Sequence, residues 1–304
     1  MIHPRQQWCV QIDITNACPR KCSNCTRLLA HSRKPFFMDV DTFERVCAAL
    51  SEFPTASEPD LQGRRKVVGI IGGEPLIHPD FEQIVAIMCH YFPDPSHRGL
   101  WTGLQWRDLR HRTTVEQLLG GEPSYCVNPG DTTGYLNENF HDREHPSAHQ
   151  PALVAVRDVI EDGSTMWKLI DQCWMQSRWA SAVTPKGFFF CEVAAAFDMI
   201  FGGPGGKPLD SDCWRGDIDT FRDQIERWCP QCGFCLYDNS MGKMAVPGLP
   251  SRLDYEEIDD VSVSNWKALV GLRSPRMEAG RCVLYSAEDE KVSLTDRKPW
   301  RYRQ

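Results

Sequence analysis

The sequence contains no run of about 18 apolar residues, the length a membrane-crossing helix requires, so no transmembrane helix is expected. The N-terminal stretch Met1-Ile2-His3-Pro4-Arg5-Gln6-Gln7 is polar and lacks the apolar core of a signal peptide, so cytoplasmic localisation is expected. Positive charge is also short. The formal net charge is −7, which argues against non-specific binding to a phosphate backbone. The locally basic end, Arg297-Lys298-Pro299-Trp300-Arg301-Tyr302-Arg303, reads as a solvated tail. No peptide-binding, cobalamin-binding or nucleotide motif is recognisable, so a small-molecule substrate is the default. Cysteine, by contrast, is plentiful, with 14 in 304 residues. In a chain of this size in a reducing compartment, that number points to metal binding before disulfides. The charged fraction of 25% and hydrophobic fraction of 41% are ordinary for a globular protein with a sizeable core.

The first half alternates strand and helix signals. Trp8–Ile14 alternates apolar and polar residues at period two, and Lys66–Ile71 is a short apolar run of the buried parallel type. Helices are expected over Asp39–Leu50, with Asp39 or Asp41 as N-cap, and over Pro79–Tyr91. Leu100-Trp101-Thr102 is a third strand candidate. This alternation is the grammar of parallel α/β folds, in which chemistry sits on the loops after the strands. Residues 130–150 read as a long loop or lid, and helical patterns resume over Pro151–Ile160 and Met166–Trp179. Near 180 the texture changes to a hairpin turning at Pro185-Lys186-Gly187, a helix over Val193–Ile200, and another over Asp217–Trp228. Beyond 240 one helix (Ser264–Val270) and one strand (Arg281–Tyr285) are expected.

Two cysteine groups carry chemistry. Cys18-x3-Cys22-x2-Cys25 supplies three thiols where structural zinc wants four ligands. It suits a [4Fe–4S] cube with three irons held by thiolates and the fourth left open. Gly72-Gly73-Glu74-Pro75 follows the second strand, where a missing Cβ admits close approach. The same four letters recur at Gly120-Gly121-Glu122-Pro123, but there they follow a helical pattern and read as a helix C-cap. The second group is Cys191, Cys213, Cys229, Cys232 and Cys235, five thiols for four positions, with a zinc knuckle as the competing reading.

The three-cysteine loop after a first strand, joined to the glycine motif on the second, resembles the radical S-adenosylmethionine (SAM) superfamily. The later cysteines resemble the shortened SPASM, or twitch, domain with its auxiliary [4Fe–4S] cluster. The resemblance implies a partial (β/α)6 TIM-type barrel over 1–180, a small α+β twitch-like domain over 181–240, and an extension over 241–304. It implies that SAM chelates the open iron, with Gly72, Gly73, Glu74 and Pro75 holding its amino group. Relatives commonly carry an aromatic before the third cysteine. Asn24 stands there, and its amide is expected to meet the adenine edge. In such enzymes an electron, from a donor such as flavodoxin or ferredoxin, cleaves SAM to a 5′-deoxyadenosyl radical that abstracts a substrate hydrogen. Dehydrogenation or rearrangement of a small polar substrate would follow; a nucleoside-type or peptide substrate is the alternative. The alternative of another class is a non-enzymatic iron–sulfur or zinc protein.

Glu192, beside a cluster cysteine, is read either as a general base or as a helix N-terminal acid. Cys9, Cys47, Cys89, Cys126, Cys173 and Cys282 are read as small buried hydrophobes, with a distant ligand role open to Cys126 or Cys282. His141, His145 and His149 recur every four residues but are interrupted by Pro146, and read as part of a solvated loop.

Overall fold

Strand β1 (Cys9–Asp13) is buried along its whole length, and it forms the middle of the main sheet. A computed structural model describes the chain except for residues 57–64, 109, 123–131, 145–146, 239–242, 245–248, 250–251 and 287–304. Cys126, His145 and the basic C-terminal run therefore lie outside the described residues.

From β1 the chain runs through α1 (Val40–Leu50), β2 (Val67–Ile71), α2 (Phe81–Tyr91), β3 (Arg98–Thr102) and α3 (Arg112–Leu119) to β4 (Tyr135–Glu138). Asp39 caps α1, its Oδ1 accepting from Thr42 N at 2.8 Å, which fills one of the donors a helix start leaves open. The apolar face of α1 (Phe43, Val46, Leu50) and that of α2 (Phe81, Ile84, Val85, Met88) are buried in one core with the strands. The second GGEP copy closes α3 as expected. Gly120 adopts φ 74°, a left-handed C-cap that favours glycine.

The remaining elements are short. They are β5 (Ala148–His149), α4 (Val156–Val159), α5 (Gly163–Asp171), α6 (Trp174–Arg178), β6 (Ala180–Thr184), β7 (Gly187–Phe189), α7 (Glu192–Phe201), α8 (Arg222–Trp228), β8 (Tyr237–Asp238), β9 (Lys243–Met244), β10 (Arg252–Leu253), β11 (Asp259–Ser262), α9 (Val263–Gly271), α10 (Pro275–Glu278) and β12 (Cys282–Tyr285).

The result is a mixed α/β fold whose main sheet has the order β4-β3-β2-β1-β6-β7. Every pairing in it is parallel except the β6–β7 hairpin. β6 pairs with β1 from Cys9↔Ala180 to Ile12↔Val183, so the hairpin that begins near 180 continues the sheet of the first half. A separate two-stranded sheet joins β11 to β12 in parallel, with α9 and α10 in the crossover.

Three sequence expectations change. The segment read as a lid contains β4, whose only buried side chain is Leu136, too little for a period-two signal. The long helix over Met166–Trp179 breaks into α5 and α6 at Gln172-Cys173. Of Pro151–Ile160, only Val156–Val159 is helical. Among the described residues no helix is long and apolar enough to cross a membrane.

Candidate active site

The ends of β1 and β2 are stitched together by their own backbones. Gly73 N donates to Thr15 O at 2.6 Å, and Glu74 N donates to Ala17 O at 2.8 Å. A Cβ on Gly72 would lie 2.2 Å from Thr15 O, and one on Gly73 would lie 2.0 Å from Ala17 O. The two glycines are thus demanded by the segment that leads into Cys18. Gly73→Ala should cost about 2 kcal/mol or more of stability, within the range for strain in a packed site. Gly163→Ala, where a Cβ meets nothing within 4 Å, should stay within about 0.5 kcal/mol. Denaturant midpoints of the two variants check this.

Glu74 is buried and reaches the next strand end. Its carboxylate accepts from Thr102 Oγ1 at 2.7 Å and from Gly103 N at 2.8 Å. It also caps the turn Pro75–Ile77 by accepting from Leu76 N at 3.1 Å. Burial pushes its carboxyl up, and these donors pull it back in part.

Cys18, Cys22 and Cys25 are each partly exposed at this strand-end surface. Burial pushes the Cys18 thiol up to about 12, with Cys25 and Glu74 adding to the rise. Cys22 is raised by burial, then by Cys25 and Cys18, so the thiols lie within electrostatic reach of one another. Such thiols stay protonated until a bound cation supplies positive charge. As a donor set, three soft ligands on one loop beside a glycine-lined backbone fit a cluster with one open iron.

Asn24 sits in the same loop with φ 51°, a left-handed conformation that Asn tolerates better than most residues. Its backbone N donates to Asp259 Oδ1 at 2.7 Å, and its Nδ2 donates to Asp260 Oδ2 at 3.1 Å. Asp260 N in turn donates to Asn24 Oδ1 at 3.0 Å. The amide expected to meet an adenine is already engaged with β11.

Below the loop lies a buried charge cluster. Arg27 holds Asp13 through Nε at 3.0 Å and Glu192 through Nη1 at 3.0 Å, and it also donates to Gln11. Burial pushes the Asp13 carboxyl up to about 6; Arg27 opposes that rise and Glu192 adds to it. Glu192 opens α7 and is buried against Arg27, so it serves as a first-turn acid and as an ion-pair partner at once. Asp13, Thr15, Arg27, Gly72, Thr184 and Met199 line a small cavity at these strand ends.

The second thiol group surrounds a cavity lined by Cys191, Cys229, Cys232, Cys235 and also Cys173. Burial raises Cys229 and Cys232 well above the usual thiol range, and the neighbouring thiols raise them further. Cys213 is elsewhere. It is buried beside Trp214, whose Nε1 donates to Ala49 O at 3.1 Å, and its charged neighbours are Asp210 and Lys207. Of the five expected thiols, four thus line one cavity together with Cys173, which the sequence reads as a small hydrophobe, while Cys213 lies in the segment that Trp214 docks against α1.

The histidine run is not simply solvated. His141 and His149 are half-buried with ring centroids 4.6 Å apart, and His149 Nδ1 donates to Ser23 O at 3.0 Å. Among the described residues, His31, Asp259 and Cys282 are the one group of three or more metal-type ligand atoms closing to within 4.8 Å. Asp259 is already filled there. Its Oδ2 meets His31 Nε2 at 2.8 Å and Arg276 Nε at 3.2 Å, and its Oδ1 accepts from Asn24. A guanidinium occupies the place a metal ion would take.

No protein-family model and no curated protein matches the chain. Among solved structures it is similar to BtrN in complex with AdoMet and 2-DOIA. The identity is 15% and the TM-score 0.41, over 74% of this chain and 92% of that one. It is likewise similar to selenomethionine BtrN in an open conformation, at 16% identity and TM-score 0.40, over 78% and 94%. Scores this low make the likeness a weak one, and the chain's own residues carry the functional reading.

Proposed function

We propose that the chain is a radical SAM enzyme acting on a small polar substrate. The observation that carries this reading is the join between the three-thiol loop and Gly72-Gly73, made by backbone bonds from Thr15 and Ala17 at the ends of two parallel strands. On this reading Cys18, Cys22 and Cys25 hold a [4Fe–4S] cluster, the strands within residues 1–180 form the partial barrel, and the twitch-like unit of 181–240 joins it through the β6–β7 hairpin, which extends the same sheet. The cluster with SAM supplies the radical chemistry when bound.

The chain's own residues have separate tasks. Gly72 and Gly73 let the end of β2 close on the segment that leads into Cys18, while Glu74 fixes the β3 loop. Arg27 orients Asp13 and Glu192, and Asp13, with its carboxyl near 6, is placed to take a proton from a substrate in the strand-end cavity. The polar groups Asp13, Thr15, Asn16, Arg27, Ser32 and Thr184, set in an otherwise apolar lining, suit a hydroxylated or aminated small molecule. Cys173, Cys191 and two of Cys229, Cys232 and Cys235 hold an auxiliary cluster. A single zinc ion would draw its sulfurs to about 3.8 Å apart, given Zn–S near 2.3 Å. No three of these thiols lie within 4.8 Å of one another, a spread that suits a cluster better. An external one-electron donor of the flavodoxin or ferredoxin type completes the scheme.

Anaerobic reconstitution with iron and sulfide, followed by SAM and dithionite, tests the reading. Formation of 5′-deoxyadenosine is expected. Its absence from protein that has taken up iron at the three-cysteine loop ends the proposal.

A further inference from the structure

No helix or strand lies between Asp13 and Leu29, and the local hydrogen bonds at the thiol positions, Arg20 N to Cys18 Sγ at 3.4 Å and Leu28 N to Cys25 O at 2.9 Å, leave the middle of the loop to other partners. The backbone of Lys21 to Asn24 is instead hydrogen-bonded by residues from far along the chain. Arg276 Nη2 donates to both Lys21 O and Cys22 O, at 3.0 Å each. Ser23 N donates to Asp254 O at 2.7 Å, and Asn24 N donates to Asp259 Oδ1 at 2.7 Å. Arg276 and Asp259 bind each other as well, and both are buried. The helix α10, which carries Arg276, packs against the turn Leu29–His31 just after the third cysteine. Around these four loop residues the grip is made of charge-assisted and backbone bonds, the stronger and more directional kinds.

We infer that the unit Asp254–Tyr285 is the second half of the three-cysteine site, with Arg276 and Asp259 as positioning residues that preset the thiols. The metal-binding part of this inference rests on the function proposed above. The physical basis is entropic. A loop without its own ladder loses backbone freedom when it closes on a metal, and a scaffold that orders it beforehand removes that cost from binding. Coupling of this kind is reciprocal, so a ligand that holds the loop also holds the C-terminal unit in place.

The test uses the full chain without metal, under reducing anaerobic conditions. Iodoacetamide alkylation is followed cysteine by cysteine by mass spectrometry in the wild type, Arg276→Leu and Asp259→Asn. Loss of the Arg276 bonds should speed alkylation of Cys18, Cys22 and Cys25 about tenfold, the effect of losing one charge-assisted hydrogen bond. Cys229 and Cys232 should react as before. Unchanged rates at the three-cysteine loop in both variants overturn the inference. So does an acceleration shared by Cys229 and Cys232, which marks a general loss of fold. No SAM or metal enters this measurement. A wild type that makes no 5′-deoxyadenosine therefore counts against the proposed function alone, and unchanged alkylation in a SAM-cleaving protein counts against the scaffold alone.

Discussion

Cys22→Ala is expected to lower 5′-deoxyadenosine formation at least about a hundredfold. Removing a partner one shell out from a metal already costs ten- to a hundredfold, and a ligand contributes more than its supporting shell. Cys22 lies in the middle of the loop. The electrostatic effect of both other thiols falls on it, and its carbonyl is one of the two gripped by Arg276. Two remaining thiols cannot hold a cube at three corners, so the loss should also appear as missing iron. Cys47→Ala is the matched control. Cys47 is fully buried in α1 among Phe43, Val46 and Leu50, so losing its sulfur removes packing alone. That variant should lose stability on the order of 1 kcal/mol and keep its cleavage rate. Equal rates for the wild type and Cys22→Ala, measured by chromatography of the quenched reaction, would refute the site.

The part of the site written in local pattern was legible from residues alone. The cysteine spacing, the glycine pair after a strand pattern, the Asp39 cap and the contrasting role of Gly120-Gly121 all show in short stretches of sequence, although the loop and the glycine pair take their packing partners from far along the chain. What escaped depends on partners remote in sequence. Asp259-Asp260 looks like a solvated acidic pair, yet it opens the buried strand β11, because Arg276, His31, Asn24 and Arg252 supply the hydrogen bonds that make burial tolerable. Gln11 and Asp13 were a signal in plain view. Polar residues on a strand buried along its whole length require a partner, and Arg27 is that partner. The number of that residue was not deducible from the strand.

Cys173 and Cys213 show the same limit, and exchanging their roles leads to the second large effect. Sequence spacing favoured Cys213, since it lies between Cys191 and the closing cysteines, and it hid Cys173 inside a helical pattern. The break between α5 and α6 leaves Cys173 as the N-cap of α6, where its thiol acts on each of Cys191, Cys229, Cys232 and Cys235. Cys173→Ala is therefore expected to lower the iron of reconstituted protein from about eight to about four per chain, one [4Fe–4S] cluster out of two. Cys213→Ala should keep about eight, and lose only the packing of its segment against α1. SAM cleavage should survive in Cys173→Ala, because the three-cysteine loop is untouched, while substrate oxidation that relies on the auxiliary cluster as electron acceptor should fail. Iron and sulfide assays on the two variants decide between them. Halved iron in Cys213→Ala, with full iron in Cys173→Ala, would restore the ligand set suggested by spacing and refute the one drawn from the cavity.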